Sequence, residues 1–203
     1  MQGAVERVER EHGLDMIFNN AGIAVVGAAL DNSLDDWMRT IDINLLGVVH
    51  GVHAAYPIFA RKRSGYIVNT ASLAGLIPSP GLTAYATTKH AVVGLSVSLR
   101  AEAAAYGVKV SAVCPGFIDT KILTESKFLG LDKQETSTKA RRVAITADQC
   151  AAVVVRGMEK NLPIIAVTNH AKAAWYLHRY AQPVMHWIAK LSSRETAKST
   201  TQV

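Results

Sequence analysis

Hydrophobic positions along the chain alternate between short β-rich runs and longer helical patterns. Apolar runs occupy residues 14–18, 65–70, 108–114 and 163–167, and each is followed by polar or turn-forming residues. Between these runs, apolar residues recur at spacings of three and four, which is typical of amphipathic helices. The pattern predicts strands at the four runs and helices over residues 2–12, 34–62, 83–106, 146–160 and 171–191.

Local signals indicate where several helices begin, end or bend. Gly13 follows the first helical pattern and can end it in a left-handed conformation. Ser33 precedes the second pattern with Asp36 three residues on, which is the signature of a capping box. Pro183 predicts a kink in the last helix. The polar stretch 120–140 is predicted to be a mobile loop or short helices.

Strands that alternate with helices indicate βαβ units, and therefore an α/β fold with a parallel sheet. Ligands bind such sheets beyond the carboxyl ends of the strands. Three of the four predicted strand ends carry small or polar residues, at 19–22, 69–72 and 115–116. The chain therefore divides into one α/β domain over 1–168 and a C-terminal helical tail over 169–203.

Composition and charge limit the kinds of protein and of binding partner that the sequence allows. The 203 residues are 49% hydrophobic and 19% charged, which excludes a disordered chain. The net charge is +6 but no dense basic run accompanies it, so we expect no nucleic-acid partner. No uncharged apolar stretch reaches the ~18 residues of a membrane span, and the charged N-terminus is unlike a signal peptide. We therefore expect a cytoplasmic protein. Two cysteines without metal-ligand spacing predict reduced thiols and no metal site.

Four residues are candidates for chemistry. Tyr85 and Lys89 are four apart in a predicted helix, so their side chains share one face. Ser72 stands at a strand end thirteen residues before Tyr85, and the Gly/Pro loop between them can fold it back. Asn44 lies within an apolar helical segment, where a buried amide needs hydrogen-bond partners. A polar core residue without a catalytic role is the alternative interpretation of Asn44.

Together these segments resemble the short-chain dehydrogenase/reductase family in its non-extended form. The resemblance runs along residues 1 to about 168 and implies a Rossmann-like, doubly wound parallel sheet. The order and spacing of the motifs carry it. The motifs are Asn19-Asn20-Ala21-Gly22, the helical Asn44, Ser72, Tyr85-Ala86-Thr87-Thr88-Lys89, and Pro115-Gly116-Phe117-Ile118-Asp119-Thr120.

The resemblance also implies roles for these residues. Tyr85 would be the acid/base, Lys89 its cationic neighbour, and Ser72 the partner of the substrate oxygen. Asn44 would hold a water in the proton relay. The implied cofactor is NAD or NADP, and the implied substrate is an apolar secondary alcohol or ketone. The cofactor would contact two groups of residues: Asn20, Ala21 and Gly22 on the adenine-ribose side, and Pro115, Gly116, Ile118 and Thr120 on the nicotinamide side. A nearby ammonium and the positively charged nicotinamide would lower the pKa of Tyr85.

One part of the family pattern is absent from the sequence. Members open with a strand, a Gly-rich turn and a helix whose N-terminus takes the pyrophosphate. No Gly-x-x-x-Gly-x-Gly turn precedes Asn19 here. We therefore expect a sheet that lacks the first strands and the Gly-rich turn, half of a cofactor site, and an open apolar edge at 14–18. Our hypothesis is that Met1 corresponds to an internal methionine of a longer family member.

Two functional hypotheses follow. The first is an NAD(P)-dependent oxidoreductase, and the second is a catalytically inactive fragment that acts as a dimerisation or interaction module. The resemblance implies a homo-oligomer formed through helices 34–62 and 83–106. Small residues on the second helix suit close packing, namely Ala84, Ala91, Gly94, Ala101, Ala103 and Ala104.

The tail allows a third hypothesis, contact with a membrane. Its helical pattern carries both aromatic and basic residues, as interfacial helices do. The residues are Trp175, Tyr176, Tyr180 and Trp187 with Lys172, Arg179 and Lys190. The alternative, which the sequence favours, is a tail that covers the substrate cleft or a partner.

Overall fold

The centre of the fold is a parallel β-sheet. The computed structural model describes the backbone of residues 1–200 and the side chains of residues 1–191. In order along this part of the chain, the strands are β1 (Met16–Asn19), β2 (Val25–Val26), β3 (Tyr66–Thr70), β4 (Lys109–Cys114), β5 (Ile118–Asp119), β6 (Lys127–Phe128), β7 (Ile145–Thr146) and β8 (Ile164–Ala166). The central sheet has the order β1-β3-β4-β8 with every pair parallel, as the alternating pattern predicts.

Helices connect the strands close to the predicted positions. Over the described residues they are α1 (Gln2–His12), α2 (Leu34–Ile41), α3 (Gly47–Lys62), α4 (Thr83–Ala103), α5 (Ile122–Glu125), α6 (Lys133–Arg142), α7 (Ala147–Glu159), α8 (Asn169–Tyr180) and α9 (Gln182–Thr200). The Ser33 side chain accepts from the Asp36 N–H and completes the predicted capping box at α2. Gly13 ends α1 with φ 75°.

The alternation of side chains along β4 determines which helices cover each face of the sheet. Val110 packs with Phe59 of α3, and Cys114 packs with Val92 of α4, on one face. Val113 points to the other face and packs with Val154 of α7. Helices therefore cover both faces, and α3 and α4 share the face on which the candidate residues begin.

Strand β1 forms one edge of the described sheet, where it pairs with β3. Phe18 on this strand is 48% exposed, and Met16 is exposed as well. Leu14 and Ile17 instead pack into the core with α1 and α3. The expected apolar edge is thus present, and Met16 and Phe18 form it.

The helical stretch 34–62 is interrupted where a single helix was predicted. Residues Asp42–Leu46 form a π-helical turn between α2 and α3. By length and composition alone this stretch is also apolar enough to cross a membrane. Val48, Ala55 and Phe59 are buried against the sheet, however, so the stretch packs as a core helix of the fold.

The segment 120–140 contains more regular structure than the sequence predicts. Besides α5 and α6, its strand β6 pairs in parallel with β2, so that Val25 lies opposite Lys127. The Lys127 ammonium donates to both carboxylate oxygens of Asp36 at 2.8 and 2.9 Å. These hydrogen bonds, with those from Ser33, hold the pKa of Asp36 below its usual value. Two non-local contacts therefore hold the segment, one to β2 and one to the start of α2.

The C-terminal tail is a pair of helices separated by a break. Helix α8 ends at Tyr180 and α9 begins at Gln182, so Pro183 lies in the first turn of a new helix. The predicted kink is therefore wrong, because proline is tolerated in a first turn and needs no bend there. Trp175 of α8 packs against Leu76 of the loop that follows β3.

Our first testable prediction concerns Gly75, which lies where this loop meets α4. A Cβ added at Gly75 would lie 2.5 Å from the Lys89 carbonyl oxygen, so Gly75→Ala must push the loop away from the helix. We expect a loss of about 1–3 kcal/mol in the free energy of unfolding, as for other overpacked sites. Denaturant unfolding measures it.

The matched control is Gly94→Ala, on the exposed side of α4. A Cβ at Gly94 meets nothing within 4 Å, and alanine favours the helix by about 0.5–1 kcal/mol. Equal unfolding free energies for the two variants would show that the contact between the loop and α4 does not constrain the structure.

Candidate active site

The carboxyl ends of β1, β3 and β4 are joined by hydrogen bonds. The Thr70 hydroxyl, at the end of β3, donates to Asn20 Oδ1 at 3.0 Å. The Leu73 N–H donates to the Pro115 carbonyl oxygen at 2.7 Å. The structure thereby brings three of the predicted segments to one edge of the sheet. Asn20 and the adjacent Gly22 are exposed there, so the crevice is open.

Lys89 extends from α4 to the carboxyl ends of these strands. Its side chain is buried, and its Nζ donates to the Thr70 carbonyl oxygen at 2.7 Å. The same nitrogen lies 5.5 Å from the centre of the Tyr85 ring. Burial lowers the pKa of Lys89 to about 8. Burial also raises the pKa of the neighbouring Cys114 to about 12, so that thiol stays neutral at physiological pH.

Ser72 and Tyr85 meet across the loop, as their spacing suggests. Ser72 caps the turn Leu73–Gly75, where its Oγ accepts from the Ala74 N–H at 3.2 Å. The Ser72 hydroxyl also interacts with the Tyr85 phenol and lowers its pKa, but burial raises that pKa by more. The expectation of a lowered pKa at Tyr85 is therefore wrong for the chain alone, because the desolvation of the phenolate outweighs the hydrogen bond.

Asn44 lies in the π-helical turn and is fully buried. Its Oδ1 accepts from the Ile23 N–H at 2.8 Å, and its Nδ2 donates to the Ile23 carbonyl at 2.9 Å and to Thr88 Oγ1 at 3.2 Å. The Thr88 hydroxyl in turn donates to the Tyr85 carbonyl oxygen at 2.7 Å. Asn44 thus joins the segment after β1 to the turn of α4 that carries Tyr85. π-Helical turns often occur at functional sites.

The residues predicted on the nicotinamide side lie in two places. Pro115 and Gly116 form the turn after β4, where a Cβ on Gly116 would collide with Thr168 and His170. Ile118 is in β5 and packs toward Ile145 and α7, outside the group formed by the other candidates. Thr120 follows β5 and is exposed.

Residues that were not predicted as part of the site hold the candidates in place. Thr70 and Thr88 provide acceptors for Lys89 and Asn44, and Thr88 carried a signal because it is three residues after Tyr85. Below them, a buried chain of side chains joins β1 to α4. Asn19 donates to Asn69 at 2.8 Å, and Asn69 donates to Ser96 at 3.0 Å.

Comparisons with known proteins identify the family and the fold. The profile of the short chain dehydrogenase family matches residues 1–128. A curated relative, "Probable oxidoreductase EphD" of Mycobacterium tuberculosis, is 34% identical over 202 residues, which cover 94% of this chain. The chain spans only 34% of the length of that relative.

Solved structures share the fold. A short-chain dehydrogenase/reductase from Burkholderia phymatum in complex with NAD superposes with a TM-score of 0.78 at 26% identity, over 90% of this chain and 72% of that one. A short-chain dehydrogenase from Sphingobium yanoikuyae in complex with NADPH gives 0.73 at 26% identity, over 91% of this chain and 70% of the other. Because the family profile matches more than half of its residues, the chain belongs to the short-chain dehydrogenase/reductase family.

Proposed function

We propose that the chain forms an oxidoreductase site that interconverts a secondary alcohol and a ketone with NAD or NADP. The observation that carries the proposal is the meeting of Ser72, Tyr85 and Lys89 at the carboxyl end of β3. A hydroxyl, a phenol and an ammonium within one crevice can bind a substrate oxygen and transfer a proton to it. Family membership and the NAD and NADPH complexes of the two related structures support the same chemistry.

The residues around the crevice fit the ribose groups of such a cofactor. Gly22 is exposed, and a Cβ there would lie 3.3 Å from Asn44 Oδ1 and 3.4 Å from Lys89 Nζ, so the lack of a side chain leaves this part of the crevice open to a sugar. Lys89 would contact the ribose. When bound, the cofactor supplies or accepts the hydride. The residues proposed to hold it are Asn20, Ala21, Gly22, Tyr85 and Lys89 on one side, and Pro115, Gly116, Ile118 and Thr120 on the other.

The proton chemistry follows from the environment of Tyr85. Because burial keeps its pKa above the usual value, the phenol is neutral at physiological pH and has a proton to give. In reduction, the substrate oxygen would accept hydrogen bonds from Ser72 and Tyr85, and Tyr85 would transfer its proton. The Lys89 ammonium favours the phenolate that remains. Asn44 and Thr88 would hold this turn of α4 in place. The water of the proton relay, if Asn44 holds one, would lie next to this pair.

The walls of the crevice suggest an apolar substrate. The loop after Ser72 and the segment 120–140 supply aliphatic and aromatic side chains, of which Leu76 is buried against α8. The other residues that we propose for this wall are Leu73, Ile77, Leu82, Ile122, Leu123 and Phe128. A ketone with apolar substituents suits such a lining better than a charged one.

A second candidate function is an inactive interaction module, and the exposed apolar side chains on and just after α4 favour it. Val97 and Tyr106, on and just after α4, are exposed large side chains that suit pairing with another copy. Cofactor binding distinguishes the two functions.

Our second prediction concerns the proton donor. Tyr85→Phe removes the hydroxyl and keeps the ring, so ketone reduction should fall by about 10²–10⁴-fold while cofactor affinity changes little. Turnover is followed by the absorbance of NADH or NADPH with a panel of apolar ketones. Tyr106→Phe serves as the matched control, because Tyr106 is exposed and follows the C-terminal end of α4, whereas Tyr85 lies in its first turn. Near-full activity of Tyr85→Phe would refute the assignment.

The third prediction concerns the pH dependence of stability. Lys89 has a pKa of about 8 in the folded chain and 10.5 when unperturbed. Between these values the unfolded chain binds more protons, so the Lys89 contribution to stability rises with pH, by up to about 1.4 kcal/mol per pH unit. Below pH 8 both states are protonated and the contribution is flat.

Denaturant unfolding of wild type and Lys89→Met, from pH 7 to 10.5, isolates this contribution. Tyrosines and cysteines that are distant from Lys89 titrate in the same range but cancel in the difference, whereas Tyr85 and Cys114 lie beside Lys89 and respond to its charge. The stability of the wild type relative to the variant should increase above pH 8. A difference that is independent of pH would mean that Lys89 is not desolvated.

The fourth prediction concerns cofactor affinity. Charge-assisted bonds to a pyrophosphate contribute roughly 1.5–3 kcal/mol each, and the described residues offer no Gly-rich helix start to make them. Calorimetric titration of the chain with NADH and NADPH should therefore give millimolar dissociation constants, weakened further by Lys89→Met but not by Lys172→Met. Micromolar binding would contradict this prediction. No binding and no turnover would favour the interaction module.

A further inference from the structure

Helix α9 presents an apolar stripe to solvent. Val184, Trp187, Ile188 and Leu191 follow the spacing i, i+3, i+4, i+7, so they lie along one side of the helix. Their exposed fractions are 47%, 62%, 41% and 41%. Tyr180, at the end of α8, is 79% exposed and precedes the stripe. We refer to these five residues as the α9 stripe.

The α9 stripe is not the face by which the helix joins the fold. Met185 is 6% exposed and forms the buried side of α9, about 160° around the helix from Trp187 and about 100° from Val184. Helix α8, against which α9 packs, is itself held to the core by Trp175. Amphipathic helices of soluble domains turn their apolar stripe to the core, so an outward stripe indicates a binding surface.

The charge of this region identifies the kind of partner. No acidic residue occurs between Glu159 and Glu195, although the chain contains 16 acids in 203 residues. Over the same interval there are five lysines and arginines and three histidines. Of the five basic residues, Lys172 and Arg179 lie on α8 and Lys190 lies on α9, the two helices that carry the stripe. Basic residues on the same two helices as an apolar stripe are complementary to a negatively charged, partly apolar surface.

We propose that α8 and α9 bind the surface of a membrane rich in anionic phospholipid. The α9 stripe would enter the boundary between headgroups and acyl chains, and the basic residues would lie among the headgroups. Trp187 and Tyr180 carry both a large apolar ring and a polar group, which suits that boundary. Each lysine or arginine near such a surface adds attraction.

A second copy of the chain fits this surface less well. A two-fold contact would place the same patch of both copies face to face. Because the patch contains bases and no acids, the contact would bring like charges together with no opposite charge to compensate. An anionic lipid surface has the opposite charge and needs no such compensation.

The experiment is flotation of the full 203-residue chain with vesicles. Vesicles of phosphatidylcholine with phosphatidylglycerol are compared with vesicles of phosphatidylcholine alone. We expect binding to the vesicles with phosphatidylglycerol to be at least tenfold stronger than binding to phosphatidylcholine alone. Addition of about 0.5 M salt should weaken this binding, because salt screens the charges of the basic residues. Absence of binding, or equal binding to both vesicles, overturns the proposal.

Paired variants separate the α9 stripe from non-specific adsorption. Val184→Ser and Trp187→Ser should each lower the bound fraction severalfold, and the double variant at least tenfold. Val155→Ser is the matched control, because Val155 is 51% exposed on α7, outside the patch. Arg179→Gln with Lys172→Gln should weaken binding more than Lys133→Gln on α6. None of these residues belongs to the proposed active site.

Two further results would overturn the proposal. If Arg179→Gln with Lys172→Gln abolishes binding but the stripe variants match Val155→Ser, adsorption is purely electrostatic. If sedimentation velocity shows a wild-type oligomer that Val184→Ser with Trp187→Ser dissociates while vesicle binding is unchanged, the α9 stripe is a contact between copies of the chain.

Discussion

The position of one helical turn, residues 85–89 of α4, determines the geometry of the whole strand-end crevice. Its Lys89 side chain binds the last carbonyl of β3, and its Lys89 backbone carbonyl packs against Gly75 of the following loop. Thr88 in the same turn binds Asn44 and so reaches the segment after β1. Three segments that are distant in sequence thus contact a single helical turn, so a shift of that turn would move all of them.

This turn also carries an electrostatic cost. Burial disfavours the ammonium of Lys89 and the phenolate of Tyr85 alike, as the directions of their pKa values show. Each charge is stabilised when the other is present, because opposite charges in a region of low dielectric attract strongly. The chain therefore places two groups whose protonation states depend on each other at the point where we propose that a proton is transferred. The stability lost there has to be regained from packing elsewhere.

Parts of this arrangement follow from local sequence and parts do not. The four strands of the central sheet are apolar runs with helical patterns between them, and the Tyr85–Lys89 spacing alone puts both residues on one face. The pairings of β2 with β6 and of β5 with β7 involve two residues each, too few to produce a periodic signal. The partners of Asn44 lie 21 and 44 residues away. The raised pKa of Tyr85 depends on burial, which no local pattern encodes.

The contacts of the 120–140 segment have a kinetic consequence. In the proposed function this segment forms one wall of the crevice, and it is held by the parallel pairing of β6 with β2 and by the ion pair between Lys127 and Asp36. A bound molecule that leaves past the segment would require both contacts to open. Lys127 is half exposed, so dissolved ions weaken its attraction to Asp36 while the backbone pairing is unaffected. The residence time of a molecule in the crevice should therefore shorten as ionic strength rises, even for a ligand that carries no charge.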